Sequence, residues 1–125
     1  MPKYLSRLFR DDDTIMQALC LQHPRPSLLI GLSTDWRDSG HYRNLSPKEA
    51  RILARHLAEN TFHALPKQDE MTLEVNSANR GDPFRKGMEI SLTLFDRTEE
   101  SAFLEDDSVS ELVTFILSGL TKGAK

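Results

Sequence analysis

The chain is poor in the residues that usually declare a function. It has one cysteine, Cys20, in 125 residues, so no intrachain disulfide can form and no paired-cysteine zinc spacing exists. That thiol lies in an apolar run, which reads as a buried, inert group in a reducing compartment. Long hydrophobic stretches are also missing: nothing approaches the roughly 18 apolar residues of a membrane helix. The first ten residues carry Lys3, Arg7 and Arg10 without the apolar core of a secretion signal. The expectation is a cytoplasmic protein with no membrane association. Six dispersed glycines assemble neither a phosphate-cradling loop nor a dinucleotide fingerprint, and the stretch Gly31, Leu32, Ser33, Thr34, Asp35 lacks the second glycine of a nucleophile elbow. Positive charge has no excess. Sixteen Lys and Arg stand against nineteen Asp and Glu, a net charge of −3, which argues against a general polyanion binder.

What is present fits one globular domain spanning residues 1–125, with 38% hydrophobic and 28% charged residues. Ser46, Pro47 and Glu49 spell a capping box with proline at the first helical position, and apolar residues then recur at three and four residue spacing up to Pro66. This predicts a helix over 46–65. A second helix is expected from Ser108, with Glu111 three residues on and Asp106 and Asp107 before it, carrying the stripe Val109, Leu112, Val113, Ile116, Leu117 and Leu120. Period-two alternation predicts strands at 71–78 and 87–95, and apolar runs predict others at 14–22, 27–36 and 101–105. The 14–22 run reads as strand or helix, and residues 1–13 as a loosely ordered segment. The fold class expected is α+β: a two-layer sandwich, a mostly antiparallel sheet of four to five strands with two helices on one face, in the order β-β-α-β-β-β-α. No internal repeat is visible.

If the strands flanking the first helix lie parallel in one sheet, a right-handed crossover makes the loops at 35–45 and 79–86 neighbours. Together these present Trp36, Arg37, Tyr42 and Arg43 beside Arg80, Phe84, Arg85 and Lys86, the side-chain types most enriched at binding hot spots. Arg80, Gly81 and Asp82 also spell an adhesion tripeptide, read here as a turn between two strands. His56, Glu59 and His63 fall on one face of the expected helix, a weak zinc or non-haem metal candidate against the simpler reading of a solvated face. Seven acids between 96 and 111 face one base, Arg97, and form an acidic stretch suited to a solvated connection or a basic partner.

These features predict a non-catalytic protein that works by binding a protein partner, as inhibitors, immunity proteins, adaptors and secretion chaperones do, with no cofactor. A nucleic-acid binder using the aromatic and arginine loops is the alternative. A metal-dependent or small-anion enzyme built on His41, His56, Glu59 and His63 is a third reading. A homo-oligomer is compatible with all three.

Overall fold

A computed structural model describes residues 4–11, 14–22, 26–33, 41–68, 70–80, 85–94 and 99–123, with the backbone alone at Tyr4, Arg80, Glu99 and 120–123. Four strands, β1 (Tyr4–Asp11), β2 (Thr14–Leu21), β3 (Ser27–Ser33) and β4 (His41–Leu45), are followed by helix α1 (Pro47–Glu59). Four more, β5 (His63–Ala64), β6 (Met71–Arg80), β7 (Arg85–Leu94) and β8 (Glu99–Glu105), lead into helix α2 (Asp106–Gly123). Each set of four is an antiparallel meander in chain order, here called sheet A (β1 to β4) and sheet B (β5 to β8).

The class is α+β, as the residue pattern implies, but the expected single sheet is two sheets of four strands. Every described strand pair is antiparallel, so no crossover joins strands of one sheet and α1 instead connects sheet A to sheet B. The order ββββα occurs twice, a repeat of elements with no counterpart in the residues. Tyr4–Asp11, expected to be loosely ordered, forms an unbroken eight-residue ladder with β2. The run at 14–22 is strand, and the short strand expected at 101–105 is the core of β8.

The α1 helix starts where its cap places it. The Ser46 hydroxyl accepts from the Glu49 N–H at 3.2 Å, and the Glu49 carboxylate accepts from the Ser46 N–H at 3.0 Å. It ends earlier than the apolar spacing suggests, because Asn60 takes the left-handed conformation at φ 60°, ψ 46° and turns the chain out of the helix. Thr61, Ala64 and Leu65 keep helical spacing by coincidence; His63 and Ala64 pair with β6.

One core joins the two sheets. Met16, Ala18 and Cys20 of β2 and Leu28, Ile30 and Leu32 of β3 share it with Leu73 and Val75 of β6, and with Met88, Ile90 and Leu92 of β7. Burying each large aliphatic side chain stabilises the fold by about 1.5–3 kcal/mol. The helices pack on each other, α1 also on β3 and β4, and α2 on β1, β2, β3, β7 and β8. Gly119 of α2 lets the helix backbone come against Cys20, where a Cβ would collide with the thiol. Val109, Leu112 and Ile116 are buried, whereas Leu117 is 44% exposed and falls off the expected stripe.

Strand β8 runs across the end of sheet A. Its Glu100 meets His41 of β4 at 3.3 Å, and its Phe103 N–H donates to the Asp11 carboxylate of β1 at 2.9 Å. These two contacts lie on the outermost strands of sheet A, with β2 and β3 between them, so the two sheets cross rather than stack in line.

Candidate binding face

The side chains of sheet A divide by strand alternation. Inward go the core residues; outward go Ser6, Leu8 and Arg10 of β1, Ile15, Gln17, Leu19 and Leu21 of β2, Ser27, Leu29, Gly31 and Ser33 of β3, and Tyr42 and Asn44 of β4. The register aligns Leu8, Gln17, Gly31 and Tyr42 as one rung across all four strands. Glycine is required in that rung because the Tyr42 ring lies over it and would run into any Cβ. Laid across Gly31, Tyr42 donates its hydroxyl to Gln17 Oε1 at 2.6 Å, and Gln17 Nε2 donates to Ser6 Oγ at 3.3 Å. A polar thread therefore crosses the middle of the face, with Leu19 and Leu29 paired on the next rung and Arg10, Ser27, Ser33 and Asn44 toward its margins.

This face carries one charge among its described side chains, Arg10. The outer face of sheet B differs: Thr72, Glu74 and Asn76 of β6 stand beside Glu89, Ser91 and Thr93 of β7. Leu8 is 56% exposed and Tyr42 39%, the two most open large side chains of the sheet A face, while Leu19, Leu21 and Leu29 are half-buried and Ile15 is buried. Soluble surfaces keep contiguous apolar patches small, which makes this face the candidate for a contact surface.

Of the side chains expected to form a loop site, four are described, and these four point to different places. Trp36, Arg37 and Phe84 lie outside the described residues, as does the Arg80 side chain. Tyr42 is on the leucine face. Arg43 points the other way and is 2% exposed: its guanidinium donates to the Asn44 carbonyl, to Pro66 O at 2.8 Å and to Glu49 Oε2 at 3.4 Å, which makes it an internal brace between β4, α1 and the segment after β5. Partial burial pushes the Glu49 carboxyl up, but the Ser46 backbone hydrogen bond and the Arg43 guanidinium outweigh it and hold the group below its ordinary value. Arg85 is exposed and paired with Glu105 at 2.6 Å, and Lys86 lines the groove between α1 and α2. The bases of the two loops are thus anchored five residues apart on β8, His41 at Glu100 and Arg85 at Glu105, roughly 17 Å along the strand.

The helix-face trio also changes. His63 belongs to β5, and its ring stacks on that of His56 with centroids 4.3 Å apart and planes 3° from parallel. His56 Nδ1 is 2.8 Å from the Thr61 hydroxyl. Partial burial, then the charges of His56 and Arg55, lower the affinity of His63 for a proton. Glu59 stays on α1 outside this stack, and among the described residues no group of three His, Cys, Asp or Glu side chains could hold a metal ion. Cys20 is buried, and its thiol is pushed up to about 11 by desolvation, an unreactive state at neutral pH.

Sequence reasoning missed the leucine face because Leu19, Leu21 and Leu29 look like core residues in a linear reading. The signal was Gly31 in mid-strand, which marks a close approach by another group. Comparison with protein-family models and with curated proteins finds no match for this chain.

Proposed function

We propose that the protein is a small non-catalytic binding protein that takes a protein partner on the outer face of sheet A, in the manner of an inhibitor, immunity protein, adaptor or secretion chaperone. The observation that supports this is the rung Leu8, Gln17, Gly31 and Tyr42 with the leucines beside it, an apolar surface with an aromatic anchor and a short polar thread. Aromatic side chains in such a setting bury large area at small entropy cost and still hydrogen-bond, which is the usual make-up of a binding hot spot. A nucleic-acid partner fits this face less well, because duplex or single-strand affinity grows with the number of phosphates neutralised and the face offers Arg10 as its described cation.

The test is differential capture. A partner identified from the native host by mass spectrometry should bind the wild-type chain and lose about 1–3 kcal/mol of affinity with Leu19→Lys or Tyr42→Ser. It should bind Glu74→Lys, on the outer face of sheet B, normally. Melting curves verify that each variant is folded. Equal binding by all three variants would place the contact elsewhere, and binding of single-stranded oligonucleotides that falls steeply with salt would establish the nucleic-acid reading instead.

A further inference from the structure

Between the end of α1 and Leu65 the chain has little to hold it. Asn60, Thr61, Phe62 and Ala64 are exposed, Phe62 at 55%, and β5 pairs with β6 over two residues. Of residues 60–64 only His63 is partly covered, and its ring lies flat on His56 of the last turn of α1. A segment with so little buried apolar contact opens at low free energy. Its two ends are fixed more firmly. The Asn60 and Thr61 N–H groups donate to carbonyls of α1, Leu65 is buried with its N–H on Leu73 O at 2.9 Å, and Pro66 O accepts from Arg43.

We propose that the stacked His56 and His63 rings are a proton-operated latch: in mild acid the pair takes up protons, the rings part, and β5 comes away from β6 while the rest of the molecule stays folded. A stack of two neutral imidazoles tolerates a separation of 4.3 Å, but two imidazolium charges at that distance repel. The surroundings offer little to offset them. On α1 the neighbouring charge is Arg55, and no described acid, Glu59 included, bonds to either ring. On β6 His63 stands opposite Val75, and Glu74 stands opposite Ala64, on the other side of the sheet. In the α1–α2 groove that Asn60 reaches, the charged groups are Lys86 of β7 and Asp106 of α2. Parallel ring planes also send the lone pairs side by side rather than to one point, so the pair is not arranged to share a metal ion. Burial, then the charges of His56 and Arg55, holds the folded His63 ring below its ordinary value of 6.5. The opened segment therefore binds the proton more readily than the closed one, and the closed form loses stability as pH falls through 6.5 toward the lower folded value.

The latch does not depend on the leucine face having a partner, and its test uses the chain alone. Amide hydrogen exchange, corrected for the intrinsic effect of pH, should show the protection of the His63 amide falling about fivefold or more from about pH 7.5 to about pH 5. At the lower pH its exchange should be nearly independent of added urea, because a local opening exposes little surface, whereas exchange of the Ile30 and Ile90 amides should rise with urea. His63→Phe keeps a ring on His56 and cannot take a proton, so protection at position 63 should persist into acid. In His56→Gln the His63 ring, followed by NMR, should titrate higher than in the wild type. Protection at position 63 that ignores pH, a urea slope there equal to that of the core amides, an acid response retained by His63→Phe, or a His63 titration unmoved by His56→Gln would each overturn the proposal.

Discussion

Replacing Arg43 with alanine removes three connections at once, to the Asn44 and Pro66 carbonyls and to the Glu49 carboxylate. Those acceptors lose a charged donor in a site closed to bulk water at the arginine end, and the expected cost is about 1.5–3 kcal/mol, read as a lower urea midpoint with an unchanged slope. The difference should depend on pH in a fixed direction. Glu49 titrates below its ordinary value of 4.5 in the folded chain, so its ion pair contributes stability above that pH, and the contribution is lost as pH falls through the lower folded value. Wild type and Arg43→Ala should therefore differ most near neutrality and converge in acid. An arginine at this position looks like a surface cation in the sequence, because its neighbours Tyr42 and Asn44 are polar and nothing local shows that Pro66 and Glu49 will close around it. Its burial is a tertiary fact.

At the scale of elements, the two helices and the β6–β7 hairpin were readable and three strands were not. Capping at Ser46 and the alternation of Leu73 and Val75 with Thr72 and Glu74 are local signals, and local signals survive into the structure. Strand β1 was unreadable because its inward positions hold Arg7 and Asp11 as well as Leu5 and Phe9, which breaks apolar alternation. Strand β4 was hidden by the inward Arg43, and β5 by a helical spacing that Asn60 interrupts. The leucine face followed the same rule: a strand with leucines on both sides gives no local indication of which side meets the core. In α2 the difference is one residue wide. Ile116 is fully buried and Leu117 is not, so Ile116→Ala should cost about 2–5 kcal/mol through lost burial and a cavity. Leu117→Ala should stay within about 0.5 kcal/mol, as exposed positions do. Chemical denaturation of both variants checks the rotation of the helix, and equal losses would mean that Leu117 is covered.

Taken whole, the molecule is two copies of one element pattern that share one core. Sheet A and sheet B each present one apolar side, and those sides close over a shared core into which both helices reach. The expected consequence is a single cooperative transition. Far-UV circular dichroism and hydrogen exchange of β3 and β7 amides should report the same urea midpoint, as for other two-state domains of this size. Separate transitions for the two halves would show that the core is divided.

The position of β8 and α2 over sheet A also has a consequence for synthesis. Asp11 and its partner Phe103 are 92 residues apart in the chain, and α2 packs beneath β1, β2 and β3. At translation speeds of about 5–20 residues per second, the end of sheet A at Leu45 is made roughly 3–16 s before β8 and α2, the elements from Glu99 to Gly123. During that interval Met16, Ile30 and Leu32, which the finished fold buries, face water. A nascent chain arrested before β8 should accordingly bind a ribosome-associated chaperone, and release it once α2 has emerged.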